Sequence, residues 1–347
     1  MHTHPHSTFE APLPLVTPAR KARRPAAAGG PTRYPLLATR YFFSLPLLFS
    51  ILCLLSPALS VSAETLTITT YNINNYLPSS RAVDGTYYKS YMKPEAEKKA
   101  LRTIIKTLNA DIIAIQEIGP RPFLEELRRD LKHDGVDYPH AEILESPVTD
   151  PDRHIAVLSR RPFTAVRKHT DLTFKYYDTT ETVKRGLLEV RVATDAGELT
   201  LFIVHLKSRL TERDRPDDYE SAKRRAGEAE AVRDRVLKHF PDPSAPGALF
   251  LILGDFNDTR ANRPLRALSQ RGKTQISTPL PGGDSHGEVW TYFYSRQDTY
   301  SRVDHVLVSP ALKKFVQNST VTIYDGPDVL SASDHRPVTV RLNLGKK

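Results

Sequence analysis

From residue 65 onward the apolar positions follow two rhythms. Leu66-Thr-Ile-Thr-Thr-Tyr71-Asn72 alternates, which predicts a strand stopping at Asn72. Residues 77–92 are polar, with Gly and several Tyr, and read as a loop. Pro94 then opens a helix in which Leu101, Ile104, Ile105 and Leu108 fall at i, i+3, i+4 and i+7, one buried stripe. Asp111-Ile-Ile-Ala-Ile-Gln-Glu117 predicts a buried strand, and a second helix begins near Pro122 and packs through Leu124, Leu127 and Leu131. Residues 135–153 read as a loop and His154 to Ser159 as a strand. Gly186–Val192 and Leu199–His205 predict an antiparallel pair turning at 194–197. Ala222, Ala226, Ala229, Val232, Val236 and Phe240 mark a long helix, broken by the Pro- and Gly-containing residues 241–247. Ala248 to Leu253 is a fully apolar strand. Trp290, Tyr292 and Tyr294 alternate as one strand face, and Arg302–Val308 and Val338–Leu344 are further strands. This mixture predicts two packed β-sheets with helices outside.

Polar clusters sit at the ends of these apolar runs. They are Asn72-Ile-Asn74, Gln116-Glu117, His205-Leu-Lys207-Ser208, Gly254-Asp255-Phe-Asn257-Asp258, Arg302-Val-Asp304-His305 and Ser333-Asp334-His335-Arg336-Pro337. Strands stacked in sheets bring such ends to a common rim, where residues distant in sequence converge. The clusters supply carboxylates, carboxamides and imidazoles without a thiolate. That set suits a hard cation, Mg²⁺, Mn²⁺ or Ca²⁺, and a group that activates water.

Charge and cysteine usage change the picture little. The chain of 347 residues carries a formal +9; residues 1–63 hold six Lys/Arg and one acid, so the remainder carries +4, mildly basic and compatible with a polyanionic substrate. Residues 1–63 add something distinct: a basic Pro/Ala-rich stretch, an apolar run from Tyr41 to Leu55, and the small residues Ser60-Val61-Ser62-Ala63. These are the marks of a secretory signal cleaved after Ala63, leaving 64–347 as one α/β domain, secreted or periplasmic. An uncleaved membrane anchor is the alternative, although Pro46 and Pro57 interrupt the run. The only cysteine, Cys53, lies in this segment, so the domain itself has no thiol and no disulfide.

Each candidate has a bland reading beside the chemical one. Glu117 follows a run that should be buried, where a carboxylate needs a cation or a partner; a capping or salt-bridging Glu is the alternative. Asp255 and Asn257, two apart, face one way if the chain stays extended; an Asx turn is the alternative. His335 paired with Asp304 makes an orienter–base arrangement, against a structural turn before Pro337. His205 and Lys207 share a strand-end face and could contact a phosphoryl group, against a half-buried strand with a solvated Lys. Arg185 and Arg302 are weaker phosphate candidates.

Taken in order, these clusters resemble the signatures of the endonuclease/exonuclease/phosphatase superfamily, over residues 65–344. Its branches include pancreatic-type deoxyribonucleases, abasic-site endonucleases, bacterial sphingomyelinases and inositol polyphosphate 5-phosphatases. The resemblance implies a four-layered α/β/β/α sandwich of two mixed, mainly antiparallel sheets, and divalent-metal-dependent phosphoester hydrolysis. By matching position, Glu117 resembles the metal-binding Glu, and Asn72 the amide assisting at metal or phosphate. Asp255 and Asn257 resemble the pair positioning nucleophile and transition state. Asp304 and His335 resemble the dyad, with Asp334 the carboxylate beside it, and His205 the second catalytic histidine of the deoxyribonuclease branch. Asn74 stands where abasic-site endonucleases commonly carry Asp, and Asp152 is a substitute carboxylate for the partner of the extra histidine. A low-specificity endonuclease on DNA or RNA, monomeric and without an obligate protein partner, is the leading expectation. A phospholipid or small phosphoester hydrolase is the alternative, and a non-catalytic phosphate-binding module a third class.

Overall fold

The computed structural model describes residues 64–147 and 153–345. The signal reading of 1–63, Cys53 within it, and Asp152 lie outside the described residues.

The chain starts with β1 (Thr65–Tyr76), which runs four residues past Asn72. The stretch 77–92, expected as a loop, is the hairpin β2 (Ser79–Val83) and β3 (Thr86–Tyr91). Its two-residue turn, Asp84-Gly85, has positive φ at both positions (49° and 76°), the geometry that matches strand twist. Helix α1 (Glu95–Leu108) buries Leu101, Ile104 and Ile105 and ends on Asn109 in the left-handed region. Then follow β4 (Ile112–Ile118) and α2 (Arg121–His133), which buries Leu124, Leu127 and Leu131. The expected loop 135–153 contains an edge strand, β5 (His140–Leu144), ahead of β6 (His154–Ser159).

The second half continues with β7 (Ala165–His169), the hairpin β8 (Thr173–Tyr176) and β9 (Thr179–Thr182), and the expected pair β10 (Leu187–Thr194) and β11 (Gly197–His205). Helix α3 (Ala222–His239) packs through Ala226, Ala229, Val232 and Val236. After β12 (Phe250–Asp255) come α4 (Arg263–Ser269) and the short strands β13 (Gln270–Arg271), β14 (Thr274–Gln275), β15 (Thr278–Pro279) and β16 (Gly282–Gly283). The hairpin β17 (Tyr292–Tyr294) and β18 (Thr299–Ser301) precedes β19 (Asp304–Val308), β20 (Val316–Ile323), the single turn α5 (Val329–Ala332) and β21 (Val338–Asn343).

Two sheets result, ordered β16-β20-β21-β1-β4-β6-β5 and β15-β19-β12-β11-β10-β7. Most of their pairings are antiparallel; β1–β4, β11–β12 and β16–β20 are parallel. Between the sheets lies one apolar layer that includes Ile68, Ala114, Val157, Val190, Leu201, Leu253, Val306 and Val340. Helices α1 and α2 cover the outer face of the first sheet through Leu101, Ile104, Leu124 and Leu127. Helix α3 covers the second through Ala229, Val232 and Val236 against Phe202 and Phe250. Strands with both faces covered read as continuous apolar runs, as β4 and β12 do. The architecture is thus the expected α/β/β/α sandwich. Among the described residues no helix is long and apolar enough to cross a membrane.

Candidate active site

Register across the second sheet does the first part of the assembly. His205 pairs with Asp255 across β11–β12, and Asp255 pairs with Asp304 across β12–β19. Three side chains from separate strands therefore lie in one row at one end of the sheet. Gly254 sets the closeness of that row: its φ is +146°, and a Cβ there would stand 1.9 Å from the carbonyl oxygen of Val204. The first sheet brings the rest. Asn72 on β1 donates through Nδ2 to Asp255 Oδ2 at 3.1 Å, linking the two sheets. The Ser333 hydroxyl donates to the Asn72 carbonyl at 2.8 Å and accepts the His335 N–H at 3.0 Å.

Glu117 owes its position to a bulge. Gln116 pairs with Asn72 but Ile118 pairs with Tyr76, and on the other side Gln116 pairs with Ile155 and Ile118 with His154. Glu117 is the residue left over, with φ +65°, and Asn74 and Asn75 opposite also take positive φ. Bulges of this kind re-aim a side chain out of strand alternation. The Glu117 carboxylate accepts the Asn75 N–H at 3.0 Å, lies 3.9 Å from His205 Nε2, and has Arg153 at 3.7 Å.

His335 stands at the centre. Its Nδ1 hydrogen-bonds Asp304 Oδ2 at 2.8 Å, and its Nε2 lies 3.9 Å from Asp255 Oδ2. His205 Nε2 lies 3.5 Å from the same Asp255 oxygen. Burial lowers the pKa of His335, but Asp304 and Asp255 more than offset that and hold it well above the ordinary imidazole value. Burial, then Arg185, His335 and Arg153, push His205 well below it. The surroundings thereby bias the two imidazoles in opposite directions, His335 toward the charged form and His205 toward the neutral one. Burial and then Asp304 raise the Asp255 carboxyl, while burial and Glu117 raise Asp334. Asp304 Oδ1 is buried with no hydrogen-bond partner among the described residues. Asp255, Asp304 and His335 offer ligand atoms all within 4.8 Å of one another, a cluster able to hold a metal ion.

Four expectations need correction. Asp255 and Asn257 are not on an extended chain: Asn257 has φ +51° and its N–H closes on Asp255 Oδ1 at 2.8 Å. Asn257 still reaches the site, donating through Nδ2 to Asp255 Oδ2 at 3.2 Å and to the Leu206 carbonyl at 3.0 Å. Lys207 is not free for a phosphate; its ammonium is held by the Ser208 and Leu210 carbonyls and by Glu212 at 3.3 Å. Arg302 donates to the carbonyls of Gly282 and Leu280 and braces that loop instead. Arg185 is buried and donates to the Leu206 carbonyl at 3.1 Å, so it acts on the site through its field.

Several residues complete the site in roles that no spacing signals. Thr291 accepts the Asp304 N–H at 3.0 Å. Arg336 is buried on Asp284 at 2.7 Å and against Trp290 at 4.1 Å, which pins the segment carrying Asp334 and His335. The Tyr292 ring lies 4.7 Å from the His335 ring.

Residues 69–335 match the model of the Endonuclease/Exonuclease/phosphatase family. No curated protein sequence matches the chain. Among solved structures, an endonuclease/exonuclease/phosphatase from Bacteroides vulgatus has 13% identity and a TM-score of 0.55, covering 81% of this chain and 99% of its own. A family protein from Leptotrichia buccalis C-1013-b has 15% identity and a TM-score of 0.53, with 80% and 99% covered. Truncated TDP2 of Caenorhabditis elegans has 16% identity and a TM-score of 0.51, with 80% and 98% covered. At these identities the structures speak for the fold alone. The family match spans most of the chain, from residue 69 to residue 335, and the chain belongs to the endonuclease/exonuclease/phosphatase family.

Proposed function

We propose that the protein is a divalent-metal-dependent phosphodiester hydrolase, acting on DNA or RNA as an endonuclease of low sequence specificity. One observation carries the reading: Asp255 and Asp304, on neighbouring strands of the second sheet, meet His335, on the loop before β21, within 4.8 Å. Asp334 and Glu117 stand close enough that Glu117 raises the Asp334 pKa, in addition to burial. Two buried acids, Asp255 and Asp304, and two half-buried ones, Glu117 and Asp334, fit a hard, oxygen-ligated ion. The His335–Asp304 hydrogen bond uses ligand atoms of both residues on each other. We therefore assign the ion to the Glu117 and Asp334 side, with Asn72 and Asp255 adjoining.

A bound Mg²⁺ or Mn²⁺ would polarise a phosphoryl oxygen and offset the charge that develops on it. Asp304 holds the His335 ring so that Nε2 faces the space over Asp255. There the imidazole exchanges a proton with the attacking water. Compensation of the neighbouring acids lowers the bias that keeps His335 protonated, bringing it into range for that exchange. Asp255, fixed by Asn72 and Asn257, orients the water. His205, neutral and between Asp255 and Glu117, donates to a phosphoryl oxygen in the transition state.

The test is a panel of plasmid DNA, structured RNA, sphingomyelin and inositol polyphosphates, each with Mg²⁺ or with EDTA. Wild type should cleave nucleic acid only with the metal, and His335→Ala should lose about 10³-fold or more. Undiminished cleavage by His335→Ala would contradict the assignment.

A further inference from the structure

Beside Asp334 the surface opens into a recess of about 490 Å³, within the size range of ligand pockets. Its lining includes Asn74, Asp334, Tyr292, Tyr294, Arg296 and Leu330. Asp334 is shared with the cation seat proposed above, whereas Tyr294, Arg296 and Leu330 take no part in the hydrolytic steps. In β17, Phe293 turns to the opposite face and stacks on Tyr300 at 4.6 Å, which leaves Tyr292 and Tyr294 on one side. Their rings are nearly parallel, 23° apart, with centroids separated by 6.4 Å. Both are partly exposed, and Leu330 across the recess is 46% exposed. Tyr292 also touches His335, so the recess begins where the reacting phosphate is placed by the reading above.

We infer that this recess takes an unpaired nucleobase next to the scissile phosphate, stacked on Tyr292 and Tyr294, so that single-stranded nucleic acid is preferred over duplex. The inference rests on the phosphodiesterase reading and deepens it. A flat π-surface is the chemistry that two half-exposed parallel rings and an apolar wall recognise, and it tolerates any base. In a duplex that surface is already covered by neighbouring bases, so the strand must be unpaired or opened to enter. A lipid chain fits less well. The tip of this hairpin is Ser295-Arg296-Gln297-Asp298, which is polar, and Tyr292 and Tyr294 line the recess beside the half-buried Asp334. Membrane insertion needs the reverse, apolar rings on the tip.

The experiment measures binding by fluorescence anisotropy in EDTA and turnover in Mg²⁺. Its probes are a fluorescein-labelled single-stranded oligonucleotide, the same strand annealed to its complement, and sphingomyelin vesicles. The single strand should bind about tenfold or more tighter than the duplex. Tyr294→Ala should weaken single-strand binding between about fivefold and about a hundredfold, raising KM and leaving kcat near wild type. Tyr294→Phe should retain wild-type binding, which separates stacking from a folding defect. Equal affinity for both strand forms, an unchanged Tyr294→Ala, or a tyrosine effect seen on vesicles alone would overturn the inference. Wild-type turnover of nucleic acid with an unchanged Tyr294→Ala KM removes this inference only; no wild-type turnover of any nucleic acid removes the underlying reading with it.

Discussion

Two buried imidazole–carboxylate pairs in this molecule have nearly the same geometry and opposite surroundings. His169 Nε2 meets Glu189 Oε2 at 2.9 Å within the second sheet; His335 Nδ1 meets Asp304 Oδ2 at 2.8 Å between the sheets. Around Glu189 every oxygen has a donor. Arg191 holds Oε1 through two nitrogens at 3.0 and 2.9 Å, and His239 stands 3.6 Å from Oε2. Arg235 contacts the other face of His169 and is itself held by Asp171 at 2.9 Å. Although burial alone would raise the Glu189 pKa, His169 and Arg191 hold it at about 2. Around Asp304 the imbalance runs the other way. One of its oxygens has no partner among the described residues, and the site adds Asp255, whose carboxyl burial and Asp304 push up. A balanced pair of this kind ties strands together, whereas an acid-rich one is poised for a cation and a proton.

The strongest way to break that contrast is to neutralise each carboxylate in turn. Asp304→Asn should cut metal-dependent hydrolysis by about 10²- to 10⁴-fold, because His335 loses its orienting partner. Its stability should change by no more than about 1 kcal/mol, since one acid leaves an acid-rich cluster. Glu189→Gln should do the opposite, costing about 3 kcal/mol in urea unfolding while turnover per folded molecule stays at wild type. A loss of activity in Glu189→Gln comparable to that in Asp304→Asn would erase the distinction.

Acid sharpens it with a smaller effect. The folded pKa of Glu189, about 2, lies below its ordinary value of 4.5. A depressed carboxylate stabilises the fold fully above the unfolded pKa, and that contribution is lost as pH falls through the window from about 4.5 to about 2. The stability gap between wild type and Glu189→Gln should therefore be widest near neutral pH and shrink between pH 4.5 and 2. A gap that grows on acidification would contradict the assignment.

Much of this was legible in the sequence where one strand reports on itself. Apolar runs such as Ile112–Ile115 and Phe250–Leu253 announce buried strands, and polar residues at their ends announce a rim. The α/β/β/α layering and the meeting of His335 with Asp304 follow the expectation. What failed depends on distant partners or weak burial. The hairpin 79–91 was hidden because all of β3 is exposed, although Asp84-Gly85 between short β-prone runs is a turn signal that could have revealed it. The edge strand β5 and the strand β20, flanked on one side only by the two-residue β16, carry too few buried positions to show a period. Lys207 is taken by Glu212 and Arg302 by the Leu280 carbonyl, pairings that no local spacing encodes. Glu117 was found by its chemistry, yet its placement comes from a bulge that pairing alone reveals.

Electron paramagnetic resonance of Mn²⁺ measures the cation seat without relying on any substrate. Titrated with Mn²⁺, wild type should deplete the free-ion signal stoichiometrically, and Glu117→Gln combined with Asp334→Asn should abolish that depletion, whereas Glu189→Gln should bind as wild type does. Wild-type binding retained in the Glu117→Gln, Asp334→Asn protein would contradict the account.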